Sequence, residues 1–159
     1  MEITVIEEAR RLISRIKEKY PVFQGRTANY EEVINFQNKL GRRLPDWFIK
    51  LYTQVPIIDA EFGFQEFEPD GEYDGISYAI WGDISSILEE SFMYEPGVSV
   101  LEQGYIFIAS CSGGSGDHIF INLNHEGNQD PGIYRIYHDD HSKIRISERL
   151  TDFFINAII

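Results

Sequence analysis

Apolar residues recur along this chain with two different periods, one typical of helices and one typical of strands. The first twenty residues carry the helical period, with charged side chains between the apolar ones. This spacing predicts a helix over residues 2–19, which Pro21 ends. The apolar positions that define it are Ile3, Ile6, Ala9, Leu12, Ile13, Ile16 and Tyr20.

Helix-capping residues predict two further helices before the first strand. Asn29 and Glu32 have the spacing of a capping box, so a second helix should begin at this point and continue to Leu40. Gly41 then provides a left-handed C-cap. A third helix is expected next, with Pro45 as its first helical residue, where the missing N–H has no intrahelical partner to lose.

A central β-hairpin is predicted from two short apolar runs, Tyr105–Ala109 and Ile119–Leu123. Both runs are rich in β-branched and aromatic residues, as buried strands are. The intervening segment, Ser110–Asp117, is polar and contains three glycines. We expect Gly113 or Gly114 to adopt a positive φ in the turn that joins the strands.

The remaining segments complete an α+β pattern. The whole chain, residues 1–159, is predicted to form a single domain with a mainly antiparallel sheet flanked by N-terminal, central and C-terminal helices. The other predicted elements are strand segments within residues 57–67, 77–81 and 133–137, a helix capped by Asp83 or Ser85 that reaches Phe92, and a last helix capped by Ser147.

Charge is distributed unevenly along the sequence. The net charge is −12, but residues 1–50 carry +3, residues 51–134 carry −15, and residues 135–159 are neutral. Residues 51–134 contain no Lys or Arg. Such a segment repels nucleic acid and anionic membranes and attracts a basic partner. The alternative is that these acids only make the surface soluble.

The densest acidic stretch is predicted to be a partner-binding loop. It combines five carboxylates with Pro and Gly residues, and surface loops commonly carry recognition. A tyrosine within it is a candidate aromatic anchor. The predicted partner-binding residues are Glu66, Glu68, Asp70, Glu72, Tyr73 and Asp74. Tyr78 and Tyr94 also lie in the acidic half, whereas Trp47 and Trp81 are expected in the core.

Histidines offer the main alternative chemistry. All four histidines lie within residues 118–141, and His138-Asp139-Asp140-His141 could supply metal ligands together with Asp117-His118 and His125. However, no HExxH or cysteine-based ligand spacing is present, and the tetrad falls in a predicted turn. We therefore expect no metal and no cofactor, and an enzyme that uses this cluster is the minor alternative.

Nucleophilic and phosphate-binding motifs are incomplete. The glycines at 113, 114 and 116 precede a strand rather than a helix and lack the lysine of a phosphate-binding loop. Cys111 could pair with His118, but a lone cysteine at the end of a strand is more often a small buried residue. Ser112 and Ser115 lack the nucleophile-elbow motif. We predict a protein without catalytic activity.

The single cysteine and the polar N-terminus favour a cytoplasmic protein. One cysteine excludes an internal disulfide, which is consistent with a reducing compartment. Charged residues near the N-terminus interrupt any signal-peptide core. Apolar runs are shorter than a membrane span.

Three sequence segments resemble the SUKH superfamily, the Smi/Knr-like proteins. Leu40–Trp47 (LGRRLPDW) is similar to the family's helix entry, and Ala109–Leu123 is similar to its central glycine-rich hairpin. Gly132–Arg135, His138–Asp140 and the terminal helix with its paired phenylalanines resemble the C-terminal half. The resemblance covers about residues 27–159, with the motifs in the family's order.

This resemblance implies a function in binding rather than catalysis. Many SUKH proteins are immunity proteins, which bind and neutralise a cognate bacterial toxin, often a nuclease. The basic surface of a nuclease would fit an acidic inhibitor. A regulatory scaffold or interaction module, as among the fungal members, is the alternative that the same resemblance implies.

Overall fold

Three helices precede the first strand, as the capping residues predict. The computed structural model describes residues 4–124 and 129–159. Helix α1 spans Val5–Lys19, and Thr4 caps it by accepting a hydrogen bond from the Glu7 N–H. Residues 2 and 3 of the predicted helix lie outside the described residues. Helices α2 and α3 span Tyr30–Leu40 and Asp46–Gln54.

The predicted caps of α2 are confirmed, and Pro45 lies one position earlier in α3 than predicted. Asn29 and Glu32 form a reciprocal capping box, and Gly41 ends the helix in the left-handed conformation with φ 76°. Pro45 is the N-cap residue of α3 rather than its first helical residue. Its ring fixes φ at −59° there, which still directs the chain into the helix.

Six antiparallel strands form one sheet whose spatial order follows the chain, β1-β2-β3-β4-β5-β6. This architecture confirms the predicted α+β fold. The hairpin predicted around the glycines is β3–β4 and lies in the middle of the sheet. The strands are β1 (Glu61–Gln65), β2 (Ile76–Trp81), β3 (Tyr105–Cys111), β4 (Ile119–Asn122), β5 (Ile133–Ile136) and β6 (Lys143–Ser147).

Helices between and after the strands close the domain. Asp83 caps α4 (Ile84–Phe92) by accepting from the Ser86 N–H, which selects Asp83 over the alternative Ser85. A short α5 (Gly97–Val100) and a 3₁₀ helix (Leu101–Gln103) lead into β3.

The prediction that Ser147 caps the last helix is wrong. Ser147 ends strand β6, which the sequence reading missed, and its hydroxyl donates to the carbonyl of Arg149. Helix α6 begins later and spans Leu150–Ile155. Asp130 instead binds the first turn of α6. Its carboxylate accepts hydrogen bonds from both the backbone N–H and the hydroxyl of Thr151.

The core lies between one face of the sheet and the helices. Trp81 is 1% exposed and Trp47 is 7% exposed, which confirms both as core residues. The Phe62 ring of β1 contacts Trp81 and both phenylalanines of α6, with ring centroids 5.4–6.4 Å apart. Aromatic packing therefore contributes to holding the C-terminal helix on the sheet.

The sheet curls strongly. Strands neighbouring in a sheet lie about 4.8 Å apart, so a flat sheet would separate β1 from β5 by about 19 Å. Yet Glu66, just after β1, forms a direct ion pair with Arg135 of β5 at 2.7 Å. The curl brings the first and fifth strands into contact at one end.

The glycine turn between β3 and β4 provides a first test of the fold. Gly114 has φ +73°, whereas Gly113 lies outside the positive-φ region, so the predicted positive φ belongs to Gly114. We expect Gly114→Val to lower the free energy of unfolding by about 1–3 kcal/mol, because a β-branched residue is strained there.

Gly113→Val is the matched control. A Cβ at Gly113 would lie 3.8 Å from the Cys111 sulfur, an ordinary contact, so this variant should unfold nearly as the wild type does. Urea denaturation of both variants measures the difference. Equal stability of the two would contradict the turn geometry.

Candidate functional site

The acidic loop predicted from the sequence is an ordered hairpin tip between β1 and β2. The N–H groups of Glu66 and Phe67 both donate to the carbonyl of Gly75. Farther out, Asp70 and Tyr73 exchange two backbone hydrogen bonds of 2.9 Å each. The backbone bonds hold residues 66–75, called the acidic tip from here on, in a defined conformation.

Four of the five predicted carboxylates of the acidic tip face solvent. None of these four forms an ion pair with any residue of the described ranges. Their charge is therefore uncompensated locally and reaches into solvent. The four are Glu68, Asp70, Glu72 and Asp74.

Glu66 differs from the other four because its side chain is only 4% exposed. Both of its carboxylate oxygens accept from the guanidinium of Arg135 at 2.7 Å, and one also accepts from the Ser77 hydroxyl. The Arg135 cation neutralises its negative charge inside the protein. Glu66 thus fixes the base of the acidic tip and is removed from the solvent-facing set, while a role for the rest in binding stays a prediction.

Arg135 connects the acidic tip to the loop between β3 and β4. Its guanidinium also donates to the backbone carbonyl of Asp117 and lies 6.0 Å from the Phe64 ring centroid. Burial opposes its charge, but the hydrogen bond and the charge of Glu66 outweigh burial and raise the pKa of Arg135. Arg135 therefore links three segments that are distant in sequence: the acidic tip, the β3–β4 loop and its own strand, β5.

Cys111 lies beside this cation. Burial alone would raise the pKa of its thiol, but hydrogen bonds from the Gly113 N–H, Ser115 and Arg135 outweigh burial and lower it. His118 contacts the backbone of Cys111, whereas the sequence suggested a pair between its imidazole and the Cys111 thiolate. Nδ1 of His118 accepts a hydrogen bond from the Cys111 backbone N–H at 3.3 Å. That nitrogen is occupied by the backbone rather than by the sulfur.

Each described histidine has its own carboxylate neighbour. His138 contacts Asp117 at 2.6 Å, His141 contacts Glu95 at 3.3 Å, and His118 lies 4.0 Å from Glu90. His125 lies outside the described residues. Within residues 4–124 and 129–159, no three His, Cys, Asp or Glu side chains converge as a metal site would require. The expectation that no metal or cofactor binds stays a prediction.

His138 and His118 should have pKa values on opposite sides of the ordinary histidine pKa. The hydrogen bond to Asp117, then the charge of Asp139, raises the pKa of His138, whereas burial lowers the pKa of His118. Proton titration by NMR should place His138 above about 6.5 and His118 below it. The reverse order would contradict the Asp117–His138 contact.

The raised pKa also fixes how this contact affects stability. A group with a raised folded pKa stabilises the protein below its unfolded pKa and loses that contribution as pH rises through the folded value. The Tm difference between the wild type and His138→Gln should therefore shrink from about pH 6 to about pH 9. A difference that grows over this interval would contradict the assignment.

Two aromatic rings stand beside the exposed acids. Tyr73 is 50% exposed, as an anchor must be, and Phe67 is 45% exposed with its ring centroid 6.4 Å from that of Tyr73. The sequence reading placed Phe67 with the strand and missed its exposure. The signal was parity: Phe62 and Phe64 face inward, so an odd-numbered position such as 67 faces outward in an extended strand.

Three connections meet at one end of the curled sheet. Because the strands run antiparallel in chain order, the β1–β2, β3–β4 and β5–β6 connections share an end. The contacts Glu66–Arg135, Arg135–Asp117 and Asp117–His138 join them directly. We call this end, residues 66–75, 112–118 and 137–142, the loop end. The loop end carries the exposed carboxylates of the acidic tip and the exposed rings of Phe67 and Tyr73.

Comparisons with known proteins place this geometry in a family context. The model of the SMI1 / KNR4 family (SUKH-1) matches residues 27–156. No curated protein sequence and no solved structure matches the chain. Among the described residues, none of the helices has the length and apolar character needed to cross a bilayer.

Proposed function

This chain belongs to the SMI1/KNR4 family (SUKH-1), and from that premise we propose that it is an immunity protein that binds and neutralises a basic bacterial toxin. The family is generally non-catalytic, and the proposed inhibition requires only binding. In this proposal the protein acts in the cytoplasm of the toxin-producing cell.

One observation carries the proposal. The acidic tip presents four exposed carboxylates without local ion pairs around an exposed aromatic pair, Phe67 and Tyr73. Interfaces gain most of their energy from a few aromatic or arginine anchors, and surrounding charges accelerate encounter and select the partner. A basic surface, such as the substrate-binding face of a nuclease, is complementary to this arrangement.

The order of the tip supports tight binding. Backbone hydrogen bonds, together with Gln65, whose side-chain amide donates to the carbonyls of Phe67 and Asp74, fix the tip before any partner arrives. The buried Glu66–Arg135 pair anchors its base. A pre-ordered surface loses less conformational entropy on association than a flexible one.

Protection of cells from a toxin tests the proposal. A candidate toxin is first identified from the neighbouring gene or by pull-down from the producing cell. Its toxic domain is then expressed with and without the chain, and growth is measured. We expect the wild-type chain to restore growth and a purified complex to form. Absence of both protection and complex would contradict the proposal, and stable binding to a non-toxic regulatory protein would favour the scaffold alternative.

A further inference from the structure

A second exposed surface adjoins the loop end at the corner between α4 and α5. Helix α4 runs toward the loop end, because Glu90 near its C-terminus lies 4.0 Å from His118. Just beyond the helix, Glu95 contacts His141 at 3.3 Å. The α4–α5 corner, residues 89–98, is therefore continuous with the β3–β4 and β5–β6 connections of the loop end.

The corner exposes apolar side chains that the core does not use. Met93 is 64% exposed, Tyr94 is 51% exposed and Val98 is 41% exposed, although Phe92 beside them packs against the core. Single exposed apolar residues are ordinary, but these three are neighbours in the fold, because Met93 and Tyr94 are adjacent and the Val98 N–H donates to the Tyr94 carbonyl at 3.0 Å. The patch that they form lies outside the acidic tip described above.

Carboxylates surround this apolar patch. Glu89 and Glu95 are exposed and Glu90 is half-buried. No Lys or Arg occurs between residues 51 and 134, so the corner's own segment supplies no cation. The lysine that reaches the corner comes from α2, where Lys39 Nζ lies 5.0 Å from the Phe92 ring centroid and forms no ion pair with the corner's carboxylates among the described residues. Histidine neighbours are the only ion-pair partners of Glu90 and Glu95 among the described residues. Apolar surface bordered by acids is complementary to lysine and arginine side chains, whose aliphatic stems pack while their charged heads reach carboxylates.

The corner is held in place before binding. A Cβ at Gly97 would lie 1.6 Å from the Glu90 carbonyl oxygen, so α5 packs directly on the end of α4. The Ser99 hydroxyl donates to the Glu95 carboxylate at 2.8 Å, and the N–H groups of Met93 and Tyr94 both donate to the Glu89 carbonyl. The apolar patch is thus presented on a fixed backbone.

We infer that the α4–α5 corner is a second contact element for the same basic protein partner, which lays arginine or lysine stems on Met93 and Tyr94. This inference rests on the proposed function, because it extends the partner's contact from the acidic tip across the loop end. The partner then bridges two aromatic-containing acidic surfaces instead of one.

A peptide titration tests the corner without any toxin. The full-length chain, labelled with ¹⁵N, is titrated with a short synthetic peptide of alternating arginine and leucine. A peptide of alternating glutamate and leucine is the charge control. We expect amide shifts at both the corner and the acidic tip with the basic peptide and none with the acidic one.

A double variant and its matched control complete the experiment. Met93→Ser with Tyr94→Ser should raise the peptide dissociation constant by roughly fivefold or more. Val22→Ser with Tyr30→Ser removes comparably exposed apolar groups, at 91% and 64% exposure, and should change it by less than about twofold. Circular dichroism melting verifies that both variants fold.

The outcomes separate the corner from the proposed function. Shifts at the acidic tip alone, or equal affinity of the corner variant and the wild type, would overturn the corner and leave the proposed function standing. Shifts at neither surface would overturn both surfaces as sites for a basic ligand. If the chain fails to protect cells but the peptide still shifts both surfaces, the proposed toxin-neutralising function is contradicted and the corner is not.

Discussion

Replacing Arg135 with alanine is expected to lower the free energy of unfolding by about 3–5 kcal/mol. In the wild type the Glu66 side chain is 4% exposed, and the variant removes the cation that faces both of its carboxylate oxygens. It also leaves the carbonyl of Asp117 without its donor. An uncompensated buried charge costs more than a buried pair contributes, so the loss should far exceed that of breaking an exposed pair. Urea denaturation followed by circular dichroism measures it.

An exposed pair provides the control for this prediction. Arg43 lies 3.7 Å from Asp46, with side chains 84% and 73% exposed, so Arg43→Ala should change stability by less than about 1 kcal/mol. Combining Arg135→Met with Glu66→Leu should recover much of the loss, because no buried charge remains. Equal stability of Arg135→Ala and Arg43→Ala would contradict the buried pair.

Neutralising the four exposed acids of the acidic tip should slow toxin association by tenfold or more at low salt. The variant changes Glu68 and Glu72 to Gln, and Asp70 and Asp74 to Asn. Asparagine at 74 keeps an oxygen acceptor for the Ile76 N–H, so the tip should stay folded. Glu66 is left unchanged, because its substitution would disturb the fold and confuse the two effects. Stopped-flow mixing with the toxin from the protection assay measures the rate.

A second quadruple variant separates local charge from net charge. It neutralises four exposed acids remote from the loop end, and so changes the net charge by the same amount. The association rate should fall far less than in the tip variant, and physiological salt should narrow the difference. Equal association rates for the two variants would contradict a specific role for the acidic tip and would mean that its acids only keep the surface soluble. The control positions are Glu7, Glu18, Glu31 and Glu148.

Local sequence signals predicted the local structure. The capping box at Asn29 and Glu32 and the glycine-linked hairpin are specified by neighbouring residues, and both are confirmed. Strand β6 was missed although Lys143–Ser147 alternates polar and apolar residues. Five residues with two exposed or half-exposed apolar side chains give a weak strand signal, and pairing with β5 decides the outcome.

The site depended on contacts between residues that are distant in sequence. Glu66 and Arg135 are 69 positions apart, and no local rule pairs them. Strand alternation predicts part of this contact. Glu66 falls on the same inward face as Phe62 and Phe64, and Arg135 falls on the same face as Ile133. What alternation cannot give is the curl that closes β1 onto β5. Only that curl turns two inward charges into an ion pair and gathers the loop end.

Hydrogen–deuterium exchange of the chain with and without its toxin tests the central claim most directly, because it locates the contact surface. The account predicts slower amide exchange within residues 68–74 in the complex, with the exposed surface of α1 unchanged. Slowed exchange confined to α1 and α2, with none at residues 68–74, would contradict the assignment of the acidic tip as the surface that binds the toxin.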